Sequence, residues 1–262
     1  MNTTFLDISV AQFQLFLILF IRVLGILASS PVFGHRAFVN QAKVGFALVL
    51  SIALYPAVPI TLAATTDLFP FVFVVITELM LGVMVGFVAR LVFIAVQFAG
   101  EVIGIDIGFG VVNIIDPLSA ERISIIGTFK NLLAILIFLI IDGHHVILNA
   151  MAASFDMVPL GGVQFTHMLT QGLVSMTSGV FVMAVKMSAP VITALFLTSL
   201  ALGITARTVP QMNVFIVGFP LKIGIGMGML LISLPLFMTV LIKFFNGMGA
   251  QLSILLQQMY HP

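Results

Sequence analysis

The sequence predicts an all-α integral membrane protein, and three observations carry that expectation. Of 262 residues, 61% are hydrophobic and only 7% are charged, where an ordinary soluble domain carries roughly 25% charged residues. Mean hydropathy is +1.28. The apolar stretches are long and continuous, without the alternation of barrel strands. A hydrocarbon core of ~30 Å takes about 20 helical residues, and only helices or closed barrels satisfy the backbone there. The expected fold is about six long apolar helices, some kinked, packing as hairpins in a larger helical assembly and forming one domain over residues 1–262.

The first helix is expected at 8–28. Residues 1–10 carry only Asp7, and the run up to Ser30 contains Arg22 and no small-residue cleavage site, so it reads as a retained helix and not a signal peptide. A turn-rich link, Ser30 to Arg36, leads to a second helix at 42–63. The third, 71–99, is longer than a bilayer demands and contains Glu78, Arg90 and Gln97. The fourth is expected at 123–141. A link from Asp142 to Thr170 holds three His and no Lys or Arg. The fifth, 173–202, contains Lys186 and Pro190, and a proline there makes it a bent helix or two half-helices. The sixth is expected at 223–244. The tail 246–262, with Gln251, Gln257 and Gln258 among Leu and Ile, reads as an interfacial or subunit-packing helix. Lys and Arg in the links after helices one and five place those links inside the cell and the N-terminus outside.

Charge and composition exclude several functions. The net charge is +1 and the ten basic residues are scattered singly, so no patch exists to displace counterions from a nucleic acid. With no cysteine, disulfides, thiolate metal sites and thiol catalysis are absent together. No phosphate-cradling loop, nucleophile elbow or Ser-His-Asp pattern is recognisable, so neither an enzyme nor a cofactor site is expected.

Three constellations stand out. Gly100, Gly104 and Gly108 follow the small-xxx-small spacing that lets helix backbones approach closely. The same stretch holds Glu101 and Asp106 and runs on to Asp116-Pro117, where proline disfavours helix. It reads either as tight packing alone or as the approach to an irregular loop, which at membrane depth must be buried or line a pathway. Arg22, Glu78, Arg90, Lys130, Asp142 and Lys186 lie singly within or at the ends of apolar segments. They fit pairing with partner subunits, an ion pathway, or snorkelling to an interface. His144 and His145 stand beside Asp142, but neighbours on a helix point in different directions and no His stands at i+3 or i+4, so no metal site is expected. Fifteen Met and 22 Gly suit either a subunit fitting irregular neighbours or simple core filling.

Several stretches then fall in a specific order. They are Arg22-Val23-Leu24, Ser30 to Arg36, Ala42-Lys43-Val44-Gly45, Gly100 to Gly104, Gly108-Phe109 and Asp116-Pro117. Further on come Gly143-His144, Ser154-Phe155, Pro159-Leu160-Gly161, Ala189-Pro190-Val191-Ile192, Leu202-Gly203, Ala206-Arg207, Pro210 to Phe215 and Gly218-Phe219-Pro220-Leu221. Together they resemble the FliR/SctT family of type III export-gate proteins over nearly the whole chain. The resemblance implies a subunit of a helical, pore-bearing gate in the bacterial inner membrane, at the flagellar basal body. Several copies of FliP and FliQ would assemble with one such subunit, with FlhB and FlhA as further partners. Unfolded flagellar proteins would pass through the open gate, and lipid would surround it.

The positions matching the family's pore plug are Gly108, Phe109, Gly110, Val111, Val112, Asn113, Ile114, Ile115 and Asp116. Expected inter-subunit polar contacts are Arg22, Glu78, Arg90, Glu101, Lys130, Lys186, Arg207 and Lys222. Injectisome subunits share the pattern. Outside this class stand a secondary transporter, whose inverted repeats are not visible, and a membrane scaffold.

Overall fold

The computed structural model describes residues 4–35, 38–58, 67–109, 124–211 and 213–260. In apolar surroundings a backbone has to bond to itself, and the described residues do so as helices, with no strand among them. In order these are α1 (Thr4–Ser29), α2 (Asn40–Leu54), a 3-10 turn (Tyr55–Ala57), α3 (Leu68–Ile107) and α4 (Ile125–Ile140). There follow α5 (Gly143–Met157), α6 (His167–Thr208), α7 (Val214–Ile232) and α8 (Leu234–Met259). Within the described residues, Val10–Ser29, α3, α6 and α8 are long and apolar enough to cross a membrane, and α4 with α5 makes a fifth if taken as one broken span. The protein is an all-α membrane protein.

The expected elements shift in four places. α3 runs 40 residues and α6 runs 42, each well beyond the predicted ends. Pro190 lies inside α6 without dividing it. The stretch read as a link after Asp142 contains α5, a helix of modest apolarity that hydropathy alone passes over. The predicted sixth helix is divided at Ser233, because Pro235 has no N–H to continue the ladder and instead stands in the first turn of α8. The tail is therefore the second half of α8, not a separate helix.

The contacts divide the chain into two units: Met1–Leu91, Asp142–Thr177 and Asn246–Pro262 in the first, Val92–Ile141 and Ser178–Phe245 in the second. In the first unit the helices bury stripes at three- and four-residue spacing. Leu15, Ile18, Leu19, Val23, Ile26 and Leu27 line α1, while Ile147, Met151 and Phe155 line α5. The α1–α3 contact is built from small residues on both sides. A Cβ at Gly25 would stand 3.2 Å from the Gly82 Cα, and one at Gly82 would press on the Arg22 carbonyl and the Ile26 amide. One turn on, Gly86 faces Ser29 and Ser30. Paired small-xxx-small faces, Gly25/Ser29 and Gly82/Gly86, bring the two backbones together.

In the second unit Phe93, Phe138 and Phe245 form a mutual aromatic cluster, with centroids 5.0 to 5.4 Å apart. A separate cluster joins Ile103 and Ile107 of α3 to Ile126, Val191, Leu195 and Leu230, with Phe109 packed against it. Gly100 crosses Gly127 backbone to backbone. The glycine stripe thus packs inside the chain, against the start of α4.

The two glycines should respond differently. At Gly100 an added Cβ strikes the Gly127 backbone, which cannot swing aside, whereas at Gly104 the nearest atom is Ser124 Oγ at 3.1 Å, a contact that a shift of a few tenths of an ångström relieves. Overpacking costs about 1–3 kcal/mol, while Ala in place of a helical Gly gains up to ~1 kcal/mol. Gly100→Ala should therefore lower the melting temperature in detergent, and Gly104→Ala should leave it near wild type. Equal melting of the two variants would contradict this packing.

Candidate functional site

The first unit holds a buried polar centre. α1 supplies Arg22 and α3 supplies Glu78, both with no exposed side-chain surface. The glycine seam positions them: Glu78 stands one turn before Gly82 and Arg22 one turn before Gly25. Arg22 Nε donates to Glu78 Oε2 at 2.5 Å and Nη2 donates to Oε1 at 2.9 Å, the bidentate fork that guanidinium and carboxylate geometry favours. Arg22 Nη1 donates to the carbonyls of Ser154 at 2.8 Å and Val158 at 2.9 Å, at the C-terminal end of α5. The Val158 carbonyl lies just past the helix end and the Ser154 carbonyl also accepts the Val158 N–H, so the cation bonds the last turn, where the helix dipole favours positive charge. Its guanidinium also lies 4.6 Å from the Phe155 ring centroid.

Glu78 Oε1 in turn accepts the Gly161 N–H at 2.7 Å. Gly161 takes a φ of +76°, in a turn closed by the Gly162 N–H on the Pro159 carbonyl at 2.9 Å. This conformation favours glycine, which has no Cβ to strain there. Arg22, Ser154-Phe155 and Pro159-Leu160-Gly161, separate motifs in sequence, converge here. Arg22 and Glu78, expected between subunits, pair with each other inside one chain.

In the second unit α3 ends at Gly108, whose φ is +108° and whose Cβ, if present, would lie 2.8 Å from the Phe219 ring. Gly108 therefore ends the helix instead of extending the glycine stripe. Ser124 begins α4: its Oγ accepts the Gly127 N–H at 3.0 Å and donates to the Gly100 carbonyl at 3.4 Å. Of the expected plug, Gly108 and Phe109 are described, while Gly110, Val111, Val112, Asn113, Ile114, Ile115 and Asp116 lie outside the described residues.

The remaining charges are dispersed. Arg90, Lys186 and Arg207 are exposed; Glu101 and Lys222 are half-buried, with Glu101 accepting from Gln97 Nε2 at 3.2 Å. Lys130 is buried. Asp142 has a φ of +57° at the start of α5, and this brings its carboxylate to 3.3 Å from His145 Nδ1 and 4.0 Å from His144 Nε2. Sequence spacing set these groups apart, yet their ligand atoms lie within 4.8 Å of one another. Ligands bonded at ~2.1 Å to one tetrahedral ion would stand about 3.4 Å apart. Asp142 and His145 are exposed and His144 is half-buried, with the two imidazoles tilted by 37° and their centroids 4.2 Å apart.

Long apolar helices held by a buried ion pair define a polytopic α-helical membrane protein. The sequence model of the family described as bacterial export proteins, family 1, matches residues 13–248. The chain is similar to the flagellar biosynthetic protein FliR of Bacillus subtilis, 33% identical over 241 residues, covering 89% of this chain and 91% of that protein. It is likewise similar to FliR of Pectobacterium carotovorum subsp. carotovorum, 32% identical over 219 residues with 83% of each covered. FliR of Aquifex aeolicus is 31% identical over 220 residues, covering 84% of this chain and 85% of that protein. The chain belongs to this family of bacterial export proteins and, with these relatives, to the FliR family.

The polar centre makes a sharp prediction. Removing one member of a buried pair leaves the other charge uncompensated and costs about 3–5 kcal/mol, while replacing both by apolar groups is often far milder. Arg22→Met should therefore lose most of its monodisperse protein on moderate heating in detergent, and Arg22→Met with Glu78→Leu should recover a good part of it. A double variant worse than the single one would show that the Glu78 bond to the Gly161 amide outweighs the cost of leaving its charge unpaired.

Proposed function

We propose that this chain is the FliR subunit of the flagellar type III export gate, sited in the bacterial inner membrane. It assembles with several copies of FliP and FliQ into a closed, gated pore for unfolded flagellar proteins, with FlhB and FlhA alongside. The observation that carries this reading is its 33% identity to a flagellar biosynthetic protein FliR across 89% of the chain. The flagellar names of these relatives favour the flagellar gate over an injectisome one. The chain acts as a channel component and not as an enzyme.

Two features of the surface support partners. Large apolar side chains such as Phe69, Phe73, Val185 and Ile204 stand exposed along the long helices. Arg90 and Lys186 stand exposed about midway along α3 and α6, within otherwise apolar runs. A charge at mid-membrane costs at least ~2.5 kcal/mol without a partner. In this reading Arg90 and Lys186, with Arg207 and Lys222, meet polar groups of neighbouring subunits. The apolar residues among Gly108 to Asp116 close the pore as a dry constriction that excludes water and ions.

Tagged FliP should retain this chain together with FliQ after solubilisation, and the chain should be poorly stable when expressed alone. A well-behaved monomer indifferent to FliP and FliQ would overturn the assignment. Deletion of residues 108–112 should leave the complex assembled and raise ion leakage across the membrane. Unchanged permeability in an intact mutant complex would remove the plug role.

A further inference from the structure

Among the described residues of the second unit one charged side chain is buried, and the export reading does not use it. Lys130 of α4 is only 4% exposed. Among the described residues no carboxylate pairs with it. Its Nζ donates to the Met187 carbonyl of α6 at 3.3 Å and lies 4.6 Å from the centroid of the Phe237 ring of α8. A methionine or leucine would fill similar space without burying a charge, so the ammonium has to be explained by what it bonds.

What it bonds lies at a defect. Pro190, inside α6, has no N–H to donate to the Lys186 carbonyl, so the ladder of the helix lacks one bond there. In a membrane such freed backbone groups are satisfied by neighbouring helices or by hydroxyl side chains. Both devices occur here. Ser188 Oγ donates to the carbonyls of Ala184 at 2.8 Å and Val185 at 3.3 Å, a back-bond that itself bends helices. Lys130 supplies the Met187 carbonyl, next to the one that Pro190 leaves without a partner. Side-chain donors thus serve the carbonyls of Ala184, Val185 and Met187, on either side of the Lys186 carbonyl that faces the proline. Beyond it, Val191 and Leu195 are anchored in the Ile103–Ile107 cluster.

We propose that Pro190 is a hinge in α6 and that Lys130 is the latch that holds it at one angle. The Phe237 face steadies the ammonium while it bonds the backbone beside the break. This rests on the second unit alone and is independent of the export-gate reading.

The chain contains no cysteine, so spin labels can be introduced at exposed Val182 and Ile204. These positions flank the hinge and are ~33 Å apart along a straight helix. In the full chain in lipid nanodiscs, the wild-type distance distribution should be single and narrow. Lys130→Met should broaden it or add a second population at shorter distance, and should speed amide exchange at residues 187–191 by roughly five- to thirty-fold. Lys130→Arg, which keeps both a donor and a cation over Phe237, should remain narrow. Adding Pro190→Ala to Lys130→Met restores the missing N–H and should narrow the distribution again. Should Lys130→Met not fold, Phe237→Leu removes the ring beneath the ammonium and should broaden the distribution in the same direction. Wild-type distances in the Met variant, or breadth that persists after Pro190→Ala, would overturn the latch.

Discussion

The Arg22–Glu78 pair is the interaction on which the first unit depends. Neither charge is tolerable alone in a site with no exposed surface, and each uses its remaining capacity on backbone: Arg22 on the carbonyls at the end of α5, Glu78 on the amide of Gly161. One contact therefore joins two long helices, a helix terminus and a glycine turn. The glycine and serine seam between α1 and α3 is its precondition, since bulkier residues there would hold the two charges too far apart for a bidentate bond. Buried ion pairs add little net stability over apolar packing. Here the pair serves to define a register: a slip of one turn along either helix would leave both charges and several backbone groups unsatisfied.

Much of the fold was legible in the sequence because lipid imposes a simple rule. Long apolar runs must be helices, and α1, α3, α4 and α6 lie where hydropathy puts them. The failures have equally physical causes. α5 is amphipathic and moderately polar, so a hydropathy reading merges it with its flanking turns. The α7–α8 break falls within an unbroken apolar run, and its signal is the lone Pro235.

The candidate site was legible only in part. The spacing of Gly100, Gly104 and Gly108 predicts a face for close approach, and the structure places that approach within the chain, at Gly127 and Ser124, while Gly108 turns out of the helix against Phe219. The seam Gly25/Ser29 against Gly82/Gly86 has the same spacing but a weaker sequence signal, because one member is a serine. Arg22 and Glu78 were singled out as charges in apolar helices but not paired, since 56 residues separate them. Opposite sign, each at one helical turn from a small-residue motif, was the available clue. For Asp142, His144 and His145 helical spacing misled, because the left-handed backbone of Asp142 aims its carboxylate back at the imidazoles.

The 40 residues of α3, at 1.5 Å per residue, extend about 60 Å, twice the ~30 Å of a bilayer's hydrocarbon. Tilt cannot absorb the difference: fitting the whole length would need an inclination of about 60°, against a usual limit near 40°. Roughly half of this greasy rod projects past the reach of acyl chains, with an aqueous phase waiting beside it. Much of this rod is coated by the chain itself, since Leu81, Val85, Val88, Ala99, Ile103 and Ile107 are fully buried, so whatever lies past the hydrocarbon is kept from water by packing against protein and not by lipid.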